Sequence, residues 1–164
     1  MRFLINTKKF ASIGDILFKP FLVISIILLF VGLTFAFFIS PDDYQQGSTV
    51  RIMYIHVPSA WLALMTYLIM TIYSVIGLAF RMPFGFVVNT AVAPIGAVFT
   101  IVCILSGSLW GKPMWGTWWV WDARLTSELV LLFLYLGIIV LSNSFENKTK
   151  GDKYAAILSL VGII

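Results

Sequence analysis

Four long apolar runs, separated by short polar segments, dominate the pattern of hydrophobic and polar positions along the chain. They cover about residues 21–39, 57–80, 86–109 and 123–141. Each run is close to the roughly 20 residues that a helix needs to cross about 30 Å of hydrocarbon, and is too long for a typical strand. Lipid offers no partner to exposed backbone N–H and C=O groups, so helices are favoured. The pattern predicts an all-α fold, a polytopic transmembrane helix bundle.

A fifth apolar run, 155–164, ends with the sequence after about half the length of a span. We therefore expect residues 1–164 to form a single integral membrane domain that is truncated at its C-terminal end. Within the runs, Pro58 is expected in the first turn of the second helix, and Asp122 is expected to cap the fourth. Pro94, which lies inside the third run, predicts a kink.

Composition supports a membrane protein and excludes several other classes. Hydrophobic residues make up 60% of the chain and charged residues 11%, which is far from the composition of a soluble domain. The net charge of +4 comes without a Lys/Arg block interleaved with aromatic residues, so a nucleic-acid partner is not expected. The single cysteine, Cys103, excludes disulfides and CxxC sites within this chain.

Lysine and arginine are distributed unequally between the two sides of the predicted bundle. Eight lie on the side of the N-terminus, in the segments 1–20, 81–85 and 142–154. The other side has only Arg51, Lys112 and Arg124. The positive-inside rule then places the N-terminus in the cytoplasm and the polar loops 40–56 and 110–122 on the outer face. The first span shows no convincing cleavage site after it, and we expect it to be retained.

Five of the six tryptophans lie in the second of these loops, which is called here the tryptophan segment, residues 110–122. An aromatic belt that anchors the bundle in lipid is one interpretation. Belts, however, spread aromatic residues over many helix ends, so this concentration favours a binding platform for a large, flat, apolar ligand. If the stretch from Gly111 is helical, one face carries an aromatic shelf, with Gly111 and Gly116 leaving the backbone open to the ligand. The members of that shelf would be Trp115, Trp118, Trp119 and Asp122.

His56 is the only histidine and lies at the outer mouth of the second span. Imidazole commonly binds haem iron, so His56 is a candidate axial ligand, although an isolated interfacial histidine is often only a polar surface residue. Arg124 and Glu128 are one helical turn apart, and the simplest interpretation is an ion pair between them. The alternative is that Arg124 binds a ligand carboxylate such as a haem propionate, with Glu128 orienting it.

Two motifs resemble one known family. The run from Trp110 to Glu128, WGKPMWGTWWVWDARLTSE, resembles the WWD motif of haem-handling membrane proteins, and the segment from Met53 to Trp61, MYIHVPSAW, resembles the His-Val-Pro element of their CcmC branch, the haem exporter C proteins of cytochrome c maturation. Both motifs stand in the family's order between the corresponding spans. The resemblance therefore extends over essentially the whole chain.

The resemblance implies a multi-pass protein of the bacterial inner membrane with six spans, which is a transfer platform for haem b and not an enzyme. It would present haem at the periplasmic face and deliver it to the chaperone CcmE, with CcmD and the transporter subunits CcmA and CcmB as partners. His56 would be an axial iron ligand, and the family's second axial histidine lies in a loop after the fifth span. The expected haem contacts are Trp110, Gly111, Trp115, Gly116, Trp118, Trp119, Trp121, Asp122 and Arg124.

Two other functions remain open from the residues alone. The chain could be a structural membrane subunit, in which the tryptophans anchor the bundle in lipid and His56 has no ligand. It could also be a transporter or quinone-site protein that uses the Pro94 kink. A haem absorbance band that disappears in His56→Ala would distinguish haem binding from both.

Overall fold

The computed structural model describes residues 7–162, and the described part is helical apart from its turns and one isolated bridge between Asp43 and Gly47. The predicted all-α fold is confirmed. Arg2 at the start and the last two positions of the fifth apolar run lie outside the described residues. The helices are α1 (Thr7–Thr34), α2 (Val50–Ala79), α3 (Pro83–Trp115), α4 (Ala123–Asn143) and α5 (Lys148–Val161), and a π-helical turn, Phe35–Ile39, follows α1 directly.

Within the described residues, four helical segments are long and apolar enough to cross a bilayer: Ser12–Ile39, Val50–Ala79, Pro83–Trp115 and Ala123–Asn143. Together they identify a multi-pass membrane protein. The chain divides into two compact units at Pro41. The first unit consists of α1 and its π-helical turn, and almost all of its described apolar side chains are exposed, as suits a helix whose surroundings are hydrocarbon.

The second unit, from Asp42 onward, is a bundle of α2, α3, α4 and α5. Small side chains in its interior allow the helices to approach closely, which is the usual packing of helices in lipid. The centre, called here the tyrosine core, consists of Ala63, Tyr67, Gly96 and Tyr135. The hydroxyl of Tyr135 donates a hydrogen bond to the carbonyl of Ala63 at 2.7 Å, and a Cβ on Gly96 would overlap the Tyr135 ring. These contacts fix α2, α3 and α4 relative to one another.

The polar ends of three helices extend well beyond the predicted spans, and α1 already begins at Thr7, before the run predicted from residue 21. Helix α2 begins at Val50, after a tight turn in which the Arg51 N–H bonds the Ser48 carbonyl at 3.2 Å. Pro58 consequently lies inside α2, and its predicted place in the first turn is wrong. Helix α3 continues to Trp115 with Pro94 in its interior. Hydrophobicity marks where lipid begins, whereas a helix ends where its backbone bonds end, so polar turns beyond the lipid are missed.

Candidate functional site

The candidate site lies at the end of the bundle where α2 begins, α3 ends and α4 begins. His56 stands in the second turn of α2 and is half-buried. Its Nδ1 atom lies 3.0 Å from the carbonyl oxygen of Cys103 and 3.2 Å from the hydroxyl oxygen of Ser106, both on α3. The Cys103 sulfur is 3.7 Å from the same nitrogen. One edge of the imidazole is therefore fixed against α3.

Gly107 provides the space for this imidazole. A Cβ at position 107 would lie 2.9 Å from Cε1 of His56, closer than real side chains approach. Cys103, Ser106 and Gly107 follow one another at i, i+3 and i+4, so they share one face of α3. Neither Ser106 nor Gly107 was predicted as a site residue, because two small residues in an apolar run are typical of ordinary helix packing.

Trp110 lies on α3 one turn after Gly107 and is half-buried. Its indole N–H donates to the side-chain oxygen of Gln46 at 2.9 Å, which ties the loop before α2 to the end of α3. The ring meets that of Trp115 edge to face, with centroids 5.1 Å apart. This geometry is the favourable one for aromatic pairs. Gln46 was not recognised from the sequence, because nothing in the pattern connects it to a position 64 residues away.

Helix α3 ends at Gly116, whose backbone adopts a left-handed conformation with φ of 78°. Glycine adopts this conformation without a steric penalty and commonly terminates helices. The single helical shelf predicted from Trp115 to Asp122 is therefore wrong, because the helix has ended before Trp118. Gly111 is buried beneath the Trp115 ring, and a Cβ there would lie 3.2 Å from that ring. Gly116 has open space around its Cβ position.

The remaining tryptophans lie in the non-helical stretch before α4. Trp119 and Trp121 form a second edge-to-face pair, with centroids 5.4 Å apart, while the Lys112 ammonium lies 5.9 Å from the Trp118 ring centroid. Trp118 is 55% exposed and Trp121 is 76% exposed, whereas the Trp119 indole nitrogen is buried without a hydrogen-bond partner in the described part of the chain. The tryptophan segment thus presents indole rings that folding alone leaves uncovered.

Asp122 caps α4, as predicted, by accepting the Leu125 N–H at 2.9 Å. It also accepts from the Arg124 guanidinium at 2.7 Å. The backbone N–H of Leu125 and then the Arg124 side chain lower the pKa of the Asp122 carboxyl from its usual value. The guanidinium lies 5.3 Å from the centroid of Trp115, in range of a cation–π contact, and is 77% exposed. Charge and aromatic surface are therefore adjacent.

The predicted ion pair between Arg124 and Glu128 is wrong, because Arg124 turns back to Asp122 at the start of the helix. Glu128 instead interacts with the Cys103 side chain of α3. Its Oε1 atom is buried and has no hydrogen-bond partner within the described range 7–162. The Glu128 side chain is thus directed to Cys103 of α3, and not paired with Arg124.

This arrangement can bind a flat, apolar molecule that has a metal at its centre and acidic groups at its edge. Exposed indoles cover apolar faces, a guanidinium binds carboxylates, and an imidazole binds a metal through a ring nitrogen. All three groups lie at one end of one bundle. The imidazole contacts α3 at Gly107, and Trp110 follows one turn later on the same helix, roughly 5 Å along its axis.

Comparison with known proteins gives an independent result. The family model described as "CcmC: Heme exporter protein C" matches residues 1–164. A relative named Heme exporter protein C from Escherichia coli (strain K12) is 50% identical over 148 residues, which are 90% of this chain and 60% of the relative. The protein of that name from Bradyrhizobium diazoefficiens is 45% identical over 161 residues, or 98% of this chain and 61% of its own length.

A more distant relative with the same name, from Rhodobacter capsulatus, is 38% identical over 159 residues, which are 97% of this chain and 66% of that protein. The chain therefore spans about three fifths of the length of the first two relatives. The resemblance seen in the WWD and His-Val-Pro motifs is confirmed.

Proposed function

The chain belongs to the Heme exporter protein C family, and from this membership we propose that it holds haem at the tryptophan segment during cytochrome c maturation. One observation carries the proposal. Exposed indole rings, an imidazole fixed by one ring nitrogen and an exposed guanidinium lie together at the same end of the bundle. Each of these groups suits a different part of haem: the porphyrin face, the iron and the propionates.

The affinity would come mainly from burial of apolar surface. Covering indole and porphyrin faces contributes about 25 cal/mol per Å² removed from water, before the costs of association are subtracted. Transfer to an acceptor then requires that the bond between His56 and iron stay exchangeable. Under that condition the platform binds haem and still allows its transfer.

His56 is the proposed axial ligand, and Arg124 is the proposed partner of a propionate. The Arg124 guanidinium has five N–H donors, and the Asp122 carboxylate takes two nitrogen atoms, Nε and one terminal nitrogen. Donors on the other terminal nitrogen remain for an acidic ligand group. Asp122 thereby orients Arg124 over Trp115 and caps α4 at the same time.

The finer assignments follow the family resemblance and the charge distribution. We assign haem b as the cargo, the bacterial inner membrane as the location and the periplasmic face as the side of the tryptophan segment. CcmE would accept the haem, and CcmD, CcmA and CcmB would be assembly partners. Haem is cargo in this scheme, and the protein is a binding and transfer platform.

The direct test is an absorbance spectrum of the protein purified in mild detergent from cells that make ample haem. We expect a Soret band, its loss in His56→Ala, and a weaker band in the double variant Trp118→Ala plus Trp119→Ala. Trp61→Ala is the matched control, because Trp61 is an exposed indole outside the tryptophan segment. We expect it to keep the band.

Unchanged haem binding in both the His56 and the double tryptophan variants would overturn the proposal. An anchoring belt would then be the better account of the indoles. The side of the membrane is tested separately in a Cys103→Ser background, by labelling Thr117→Cys and Lys150→Cys with a membrane-impermeant maleimide. We expect labelling from outside only at position 117, and labelling only at position 150 would contradict the assignment.

A further inference from the structure

We infer that Cys103, Ser106 and Gly107 of α3 form a seat that sets the tautomer of His56, with the proton on Nδ1 and Nε2 left as the metal-binding atom. These three are positioning residues, since they act through the imidazole. The inference deepens the proposed function and, as far as iron is concerned, rests on it. The tautomer itself is a property of the chain without haem.

Hydrogen-bond chemistry assigns the proton. The Cys103 oxygen, 3.0 Å from Nδ1, is a backbone carbonyl and can only accept. The Ser106 hydroxyl, 3.2 Å from the same atom, already donates its one hydrogen to the Val102 carbonyl at 2.6 Å, with the Cys103 carbonyl as a second acceptor at 3.1 Å. Ser106 therefore presents a lone pair to His56. The third neighbour of Nδ1, the Cys103 thiol at 3.7 Å, is a weak and more distant donor. The two closer contacts are acceptors, which assigns the proton to Nδ1.

The missing side chain at position 107 determines where the ring lies. A Cβ there would be 2.9 Å from Cε1 and 3.3 Å from Nδ1, but 3.9 Å from Nε2. Nε2 is thus the ring nitrogen farther from this contact with α3. Within the described part of the chain Nε2 makes no hydrogen bond. It is also not among the buried polar atoms that lack a hydrogen-bond partner, so part of its surface is accessible. It is reachable from outside.

A neutral imidazole has one protonated nitrogen and one free lone pair. Fixing the proton on Nδ1 leaves the lone pair on Nε2, and a hydrogen bond at the other nitrogen is the usual way in which proteins orient a metal-binding histidine. Because the seat already fixes the imidazole, the ring would not have to reorient when it binds iron. Glu128 interacts with the side chain of Cys103, whose backbone carbonyl accepts from the imidazole.

The first test needs no haem. His56 is the only histidine, so ¹⁵N-histidine labelling of the whole chain in detergent gives the signals of one ring. At pH about 9, where an ordinary imidazole is neutral, we expect the nitrogen spectrum of the Nδ1-protonated tautomer. A ring protonated at Nε2, or an even mixture of the two tautomers, would overturn the seat.

The second test perturbs the seat. Gly107→Ala should displace the ring, remove the tautomer preference and weaken haem binding by about 10- to 100-fold, as loss of outer-shell partners typically does. Gly32→Ala is the control, because Gly32 is a helical glycine with open space around its Cβ position, and it should change neither the tautomer preference nor haem binding. Ser106→Ala should reduce the tautomer preference less, since the Cys103 carbonyl still accepts from Nδ1. Ser108→Ala serves as the control for this variant.

The outcomes separate the two proposals. An Nδ1-protonated ring in a chain that never takes up haem supports the seat and contradicts the proposed function. The seat alone is overturned if the unmutated chain shows no tautomer preference and if haem, although lost in His56→Ala, is bound unchanged in Gly107→Ala. If Gly107→Ala does not accumulate as folded protein, the spectra of the unmutated chain and of Ser106→Ala decide.

Discussion

The tyrosine core and the tryptophan segment are both aromatic, yet they use their rings in opposite ways. In the core, Tyr135 is completely buried, its hydroxyl is bonded to Ala63, and Gly96 leaves no unused space beside it. In the tryptophan segment, Trp118 and Trp121 are more than half exposed, and their backbone is non-helical.

Folding free energy and ligand recognition reside in different aromatic regions of this protein. A buried ring that fills its site contributes to the stability of the bundle, and its loss leaves a cavity. An exposed ring contributes little to folding, but it offers apolar surface that a ligand or lipid can cover. Stability and ligand binding should therefore respond to different substitutions in this protein.

The largest expected effect is on the core. Tyr135→Ala should lower the free energy of unfolding by about 3–5 kcal/mol, the usual loss for a large buried aromatic residue. The substitution removes the edge-to-face contact with Tyr67, whose centroid is 5.5 Å away, and the hydrogen bond to Ala63. Denaturation in mixed detergent micelles, followed by circular dichroism, measures the change.

The matched control is Tyr44→Ala, since Tyr44 is a tyrosine of the same unit that is 91% exposed. Its effect on stability should stay within about 0.5 kcal/mol, as for surface substitutions generally. Trp121→Ala should behave like this control in the same assay. A loss for Trp121→Ala as large as that for Tyr135→Ala would abolish the distinction between core and segment.

The membrane-spanning helices were largely predictable, because hydrophobic runs determine which segments cross lipid, whereas the residues of the tyrosine core were not predicted. The interactions within the site were not. The contact of His56 with Cys103 joins residues 47 positions apart and depends on the rotation and depth of two helices, which no local pattern reports. The arrangement of tryptophans was mispredicted for a local reason, since Gly116 ends the helix that their spacing assumed.

The pairing of charged residues that are close in sequence was also not predictable from local spacing. Spacing by one helical turn favoured a pair between Arg124 and Glu128, but it ignored the extended backbone of Asp122, with ψ of 172°. That conformation brings the capping carboxylate to Arg124, so the guanidinium pairs with Asp122 and not with Glu128. Local sequence identified the cap and not its second partner.

A smaller effect is expected at this cap, where the tryptophan segment joins α4. Asp122→Ala should destabilise α4 and lower the melting temperature, because the Leu125 N–H loses its acceptor. Asp122→Asn, which can still accept that bond, should lose less. The ordering is measured by thermal unfolding of the two variants and the unmodified chain under the same detergent conditions.

The pH dependence of this effect has a definite sign. Folding lowers the pKa of Asp122. The charged carboxylate therefore stabilises the folded state fully at a pH above the ordinary pKa of an aspartate, about 4. That contribution is lost as the pH falls through the lowered value. The advantage of the unmodified chain over Asp122→Asn should therefore shrink below pH about 4 and stay constant between pH 6 and 8. An advantage that grows on acidification would contradict this cause.

The smallest expected effect tests whether the tryptophan segment is held in place from the loop before α2. Gln46→Leu removes the acceptor of the Trp110 N–H, and a hydrogen bond of this kind contributes about 1 kcal/mol. Stability should fall by no more than that. Gln45→Leu is the control, because the backbone N–H groups of Gln45 and Gln46 both bond the Asp43 carboxylate, while only the Gln46 side chain reaches Trp110.

Fluorotryptophan labelling makes this small change visible, because the six tryptophans give six ¹⁹F signals. In Gln46→Leu the signals of Trp110 and of its ring partner Trp115 should shift, while that of Trp61 on α2 should not. A spectrum identical to that of Gln45→Leu would mean that Trp110 keeps its position without Gln46. The tryptophan segment would then be positioned by α3 alone, and the loop before α2 would contribute to the site only through the start of the helix that carries His56.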